Sequence, residues 1–165
     1  MSRHSRLALA RRALATVALC AASACLENTA PETVDLVANS CTFTFGFDTT
    51  TMTKTSSGLF FKDITVGTGS SVTSGDAVAT YYTGWLPDGT RFDVAAPPGN
   101  PFVYTAGVGQ VIRGYDEGVL GMKVGGCRQL VIPPGLGYGN SPPGGSEIPV
   151  NSWLVFEVGL VGQQD

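Results

Sequence analysis

Histidine is all but missing from this chain: the single one, His4, lies in a basic N-terminal stretch, and none follows it. Its absence from the body of the protein removes a Ser-His-Asp triad, a Cys-His pair and a His-ligated zinc site from consideration. Basic residues are scarce too. Four of the ten stand at Arg3, Arg6, Arg11 and Arg12, so beyond residue 24 six basic residues face 13 acidic ones, a net charge of −7. Phosphate binding needs a basic footprint, and a nucleic-acid partner is excluded on that ground. No apolar run approaches the ~20 residues that cross a bilayer as a helix. Carboxylate clusters, metal-ligand spacings and a nucleophile beside a base are also wanting. Gly107-Val-Gly109 and Gly135-Leu-Gly137 lack the strand–turn–helix context of a nucleotide loop and read as turns. Neither a metal nor a cofactor is expected.

What the chain has in quantity is Gly, 22 residues, and Pro, ten, placed between apolar runs. With 43% hydrophobic and 14% charged residues, that pattern describes a turn-rich globular β protein. The first 24 residues read as an export signal. The four arginines make a basic n-region, Ala13 to Ala24 a short apolar run, and Ala22-Ser23-Ala24 a small-residue cleavage site. Cys25 follows directly, and Ala-Ser-Ala-Cys resembles a bacterial lipoprotein box, although Ala22 stands where Leu is usual. Two readings of this bond remain open: lipidation of Cys25, which would anchor the domain to a membrane without spanning it, or ordinary cleavage. Either way the protein is expected outside the cytoplasm, in the periplasm. Of the other cysteines, Cys20 lies within the signal, leaving Cys41 and Cys127 as a disulfide pair in an oxidising compartment or as two separate thiols.

Residues 25–57 are rich in Thr, Ser, Asn and acids and read as a linker. Within it Cys41-Thr-Phe-Thr-Phe-Gly-Phe47 alternates as an added strand would, packed on the domain edge. From Gly58 to the end a single domain is expected. Its strands are placed at Leu59–Val66, Asp76–Leu86, Arg91–Asp93, Phe102–Tyr104, Cys127–Ile132 and Ser152–Val161, with a Leu86-Pro-Asp-Gly89 turn. Ile112, Tyr115, Val119 and Met122 fall at helical spacing. They predict one short helix over 112–122, which Gly114, Gly118 and Gly121 weaken by up to ~1 kcal/mol each. The sum is an α+β fold, a curled antiparallel sheet over one short helix.

With no acid–base or metal apparatus, the candidate site is a set of aromatics beside turns: Tyr82, Phe92, Phe102, Tyr104, Tyr115, Tyr138 and Phe156. Single aromatics usually belong to the core. As a set, several flanking loops, these could line one concave apolar pocket.

Six stretches occur in order: Tyr82-Thr-Gly-Trp-Leu-Pro-Asp-Gly-Thr-Arg-Phe-Asp93, Pro101-Phe102, Val111-Ile-Arg-Gly-Tyr-Asp-Glu-Gly118, Ile132-Pro-Pro134, Tyr138-Gly139 and Leu154-Val-Phe-Glu157. Together they resemble the FKBP immunophilins, collinearly from about residue 58 to 165. The resemblance implies five to six strands wrapped around the helix and peptidyl-prolyl cis-trans isomerase activity. It implies a pocket of Tyr82, Phe92, Asp93, Phe102, Val111, Ile112, Tyr115, Tyr138, Ile148 and Phe156. Tyr82, Phe92, Asp93, Tyr138 and Phe156 are assigned to catalysis and the other five to substrate binding. The Ile112 N–H and the Tyr138 phenol would donate to ligand carbonyls. Three departures stand out. Tyr115 replaces the usual Trp floor, and Pro98 stands where some members carry an Arg that pairs with the carboxylate matching Asp93. Ser141–Ile148 aligns with a one-residue insertion that brings Glu147 to an apolar position. The implied partners are proline-containing unfolded or partly folded polypeptides and macrolide immunosuppressant-type ligands, met by a monomer. The alternative is a non-catalytic proline-binding or chaperone module on the same fold.

Overall fold

The alternating segments form strands close to their expected bounds. The computed structural model describes residues 37–164; the export signal over 1–24, Cys25 and the linker as far as residue 36 lie outside the described residues. In chain order the elements are β1 (Thr53–Lys54), β2 (Phe60–Thr65), β3 (Ala77–Trp85), β4 (Arg91–Ala95), β5 (Phe102–Thr105), α1 (Arg113–Val119), β6 (Cys127–Ile132) and β7 (Leu154–Gln164), with 3₁₀ turns at Thr49–Thr51 and Pro134–Leu136. The sheet is antiparallel in the order β1-β2-β6-β7-β3-β4, and β5 joins the free part of β3. It has seven strands where five to six were expected, because β4 and β5 pair with successive parts of β3 and the short β1 adds to the edge of β2.

The inner face carries Leu130 and Ile132 from β6, Leu154, Phe156, Val158 and Leu160 from β7, and Val78 from β3. Each is at most 6% exposed and packs with Tyr115, Val119 and Met122 of the helical segment. The helix glycines, unfavourable by propensity, are explained by this contact. A Cβ on Gly114 would clash with the Ile132 side chain, far inside van der Waals contact, and one on Gly118 would stand 2.6 Å from Leu130. Bare backbone here lets α1 lie close on β6. At its C-terminal end Arg128 Nη1 donates to the carbonyls of Gly118 (3.0 Å) and Leu120 (3.2 Å). The same guanidinium forms a fork with Asp63 and lies 4.7 Å from the Phe61 ring centroid. The buried cation thus satisfies the orphan carbonyls of the last helical turn.

The outer face is covered as well, which is why β6 and β7 are buried along nearly their whole length. The expected strand over 41–47 does not form and does not lie on the edge. Instead residues 37–47 make an irregular strap across the outer face, running opposite to β7. The Val37 N–H donates to Val161 O (2.6 Å), the Phe43 N–H to Glu157 Oε1 (2.7 Å), and Gln129 Nε2 to Gly46 O (2.7 Å). The Phe45 ring packs 6.0 Å from Trp85. β3, β6 and β7 already exchange their backbone hydrogen bonds with neighbours, so a segment lying over them finds no ladder to join. Phe43 leaves strand geometry altogether, at φ 54°. Cys41 is bonded to Cys127 beneath the strap, with Cα atoms 5.3 Å apart and a sequence separation of 86. Closing that loop in the unfolded chain corresponds to about 4.5 kcal/mol on the chain-entropy account.

Gly118→Ala is expected to lower stability by about 1–3 kcal/mol, overpacking outweighing the ~1 kcal/mol that alanine adds to helix propensity. Urea unfolding measures it, and an unchanged or raised midpoint would contradict the close-packing account.

Candidate active site

One end of the inner face opens into a cavity of about 510 Å³. Its floor is Tyr115, on the first turn of α1 and 3% exposed. The ring meets Tyr82 (5.7 Å, 73°) and Phe156 (5.4 Å, 78°) edge to face, and Tyr104 lies 5.9 Å away. Its hydroxyl shares a 3.1 Å hydrogen bond with Thr80 Oγ1. That bond holds the smaller ring in the place where the resemblance leads one to expect Trp. Phe102, from β5, stacks on Tyr104 and stands edge-on to Tyr82, forming one wall. Val111 and Ile112, which lead into α1, and Tyr138, after the Pro134–Leu136 turn, complete the rim.

Asp93 also lines the cavity. Lacking an arginine at position 98, it finds other donors. The Tyr82 hydroxyl donates to Oδ2 (2.9 Å) and the Val94 N–H to Oδ1 (2.8 Å). The Tyr82 phenol is pushed well above its ordinary value, first by burial and then by its hydrogen bond to the carboxylate. Burial likewise raises Tyr115, and burial together with the nearby Asp93 charge raises Tyr138. All three are therefore neutral O–H donors at physiological pH. Among the described residues neither the Tyr138 hydroxyl nor the Ile112 N–H has an acceptor, leaving two donors on residues that line the cavity. A site of this kind can grip a carbonyl and enclose an apolar ring.

Eight of the ten expected pocket residues line this cavity: Tyr82, Asp93, Phe102, Val111, Ile112, Tyr115, Tyr138 and Phe156. Phe92 and Ile148 do not. The Phe92 ring packs behind the wall, edge-on to Phe156 at 5.5 Å, over Gly84, where a Cβ would stand 2.8 Å from both rings. Ile148 is 6% exposed and belongs to the core. Glu147 is exposed and is not part of the lining. Two contributors were missed. Gln110 lines the rim and fixes its own loop, its Oε1 accepting from the Thr105 N–H (3.0 Å). Asp116, 7% exposed on α1, accepts from the N–H groups of Gly107 (2.7 Å) and Gly109 (2.8 Å). It thereby clamps the loop that delivers Gln110, Val111 and Ile112. The available signal was an acid among the buried positions of a helix that follows a Gly-x-Gly turn.

Comparison with known proteins agrees with this architecture. The family described as FKBP-type peptidyl-prolyl cis-trans isomerase matches residues 69–161. The FK506-binding protein 2 of Dictyostelium discoideum is 53% identical over 89 residues, which are 54% of this chain and 66% of that protein. The FK506-binding protein of Neisseria meningitidis serogroup B is 46% identical over 104 residues, 63% of this chain and 94% of the relative. Among solved structures, AtFKBP13 superposes with a TM-score of 0.62 at 36% identity, covering 68% of this chain and 98% of that one. FkpA from Escherichia coli also gives 0.62, at 38% identity, over 68% of this chain and 51% of its own. The match spans the strands and the helix that build the cavity, and the chain belongs to the FKBP-type peptidyl-prolyl cis-trans isomerases.

Proposed function

We propose that the chain accelerates X-Pro isomerisation in exported polypeptides by twisting the amide inside the Tyr115 cavity. The observation that carries this reading is the pairing of an aromatic floor and walls with two rim donors that have no acceptor among the described residues. Resonance keeps an amide planar behind a barrier of ~18–20 kcal/mol. When the bond is turned, the nitrogen lone pair leaves conjugation and the carbonyl loses dipolar character. A dry apolar cavity therefore favours the twisted form over the planar one. The proline ring sits on Tyr115 between Phe102 and Phe156, while the Ile112 N–H and the Tyr138 hydroxyl hold flanking carbonyls. Asp93, engaged by Tyr82 and the Val94 N–H, orders the rim and transfers no proton. The same cavity is the place for macrolide immunosuppressant-type ligands, on a smaller platform than Trp provides.

The N-terminal pattern supports a place of work in the periplasm, with the monomeric domain tethered through a lipidated Cys25 or released by cleavage at the same bond. Uncatalysed X-Pro exchange takes ~10–100 s, slow enough to limit folding there. The reduced floor favours one second reading, a module that binds prolyl segments without turning them over.

Refolding of a protein limited by proline isomerisation distinguishes the two. Acceleration at substoichiometric amounts is expected, and a folded chain that binds a prolyl peptide without acceleration would leave the binding module in its place. Tyr138→Phe is expected to lower kcat/KM about 2- to 10-fold, the worth of one neutral hydrogen bond. Between about pH 6 and 9 the activity is expected to stay level, because the lining phenols remain protonated. Their raised values contribute stability that is complete below the ordinary tyrosine value of about 10 and is lost as pH climbs through the raised ones. A thermal-midpoint series against pH records this, and a decline setting in near neutrality would contradict it. Mass spectrometry of the chain from a membrane fraction is expected to find a diacylated Cys25 at the new N-terminus; an unmodified Cys25 in a soluble fraction identifies ordinary cleavage.

A further inference from the structure

The outer face holds a polar cluster that the isomerase cavity does not use. Glu157 is 2% exposed, in the middle of β7 beneath the strap. Its register neighbours are Thr83 on β3 and Gln129 on β6, both neutral. The ion pair found among the described residues, Arg128 with Asp63, lies elsewhere. Buried carboxylates are ordinarily paired with a cation or given to a metal. Glu157 Oε1 accepts the Phe43 N–H and stands 3.6 Å from Cys127 Sγ. With Cys41 the ligand atoms of all three residues lie within 4.8 Å of one another.

We propose that, once the disulfide is reduced, Cys41, Cys127 and Glu157 form a site for a borderline-soft divalent metal ion of the zinc class, which then ties the strap to the sheet in place of the S–S bond. Two thiolates and a carboxylate are a donor set zinc accepts, with water as a fourth ligand. Zinc–sulfur and zinc–oxygen bonds of ~2.3 and ~2.0 Å at a tetrahedral angle place the sulfur and oxygen ~3.5 Å apart. The Cys127–Glu157 contact, at 3.6 Å, already has that span. The two sulfurs need ~3.8 Å between them on the same geometry, which side-chain rotation can open from Cα atoms 5.3 Å apart. The strap stays in register meanwhile, held by the bonds of Val37, Phe43 and Gly46 and by the Phe45–Trp85 contact. The chemistry balances. A dithiol delivers two electrons and two protons to the disulfide and departs as its own disulfide, and metal uptake releases the two thiol protons.

The test uses the full chain with Cys20→Ser and Cys25→Ser, so that only this pair of cysteines remains. One portion is left oxidised, and another is reduced with a phosphine that is then removed. Each is titrated with Cd²⁺ while the thiolate-to-cadmium absorption and the far-ultraviolet dichroism are followed. Zn²⁺ affinity is read by competition with a chromophoric chelator. One equivalent bound by the reduced, folded chain and none by the oxidised chain is expected. Glu157→Gln, whose side-chain oxygen can still accept the Phe43 N–H, is expected to weaken metal binding by at least ~10-fold, since even outer-shell partners of a metal site are worth that much. The proposal is overturned if the reduced chain takes up no cadmium, folded or not, or if Glu157→Gln binds as tightly as its parent.

Discussion

The close approach of α1 to β6 governs most of what this molecule can do. Gly114 and Gly118 bring the helix backbone against Ile132 and Leu130, and Tyr115, between them in the chain, is carried onto the sheet. There it meets Phe156, Tyr82 and Thr80 at once. A helix standing off by a methyl group would lift the floor of the cavity and move Val111 and Ile112 on its rim. The helix has seven residues and no side-chain N-cap, too short to persist by its own hydrogen bonds. Its position is set from outside: by the sheet below, by Arg128 at one end, and by the Asp116 clamp on the preceding loop. The site is thus a property of the helix–sheet contact more than of any residue in it.

A second constraint acts on the other side of the sheet. An antiparallel sheet commonly leaves one face to water, yet here β6 and β7 are buried on both. The strap packs Phe45 on Trp85 over a face where Val131 and Val155 are also buried, and the price is a glutamate and a glutamine enclosed beneath it. Gln129 is satisfied by the Gly46 carbonyl and Glu157 by the Phe43 N–H. The strap and the polar residues below it are therefore mutually dependent: neither has a reason to be where it is without the other.

Much of the strand pattern was legible because alternation, Gly-Pro turns and one helical stripe are local signals. The strap was not. Its alternation of Cys41, Phe43, Phe45 and Phe47 records a segment with one side toward apolar surface, which a strand and an irregular segment crossing a face share. Only the ladders already taken by β3, β6 and β7 decide between them, and those are non-local. For the cavity, the aromatic set and the resemblance carried eight lining residues. Phe92 and Ile148 stand outside the lining for a common reason: an apolar residue beside a pocket residue is as suited to support the wall from behind as to face the opening. Gln110 and Asp116 escaped notice because each acts through backbone N–H groups of a loop whose shape appears only once the chain is folded. A different short strand, Thr53–Lys54, stands in the stretch read as linker, and two residues are too few for periodicity to register.

The strand order has a bearing on how such a chain is made. β7, last of the strands in sequence, sits between β6 and β3 and under a strap that comes from the other end of the domain. Until it arrives, β2 with β6 and β3 with β4 and β5 are two fragments sharing no edge, and the strap lacks its bonds to Val161 and Glu157. Joining the two into one sheet waits on residues 154–164. A chain synthesised N-terminus first could not complete its sheet until that final segment had appeared, however early its other strands formed.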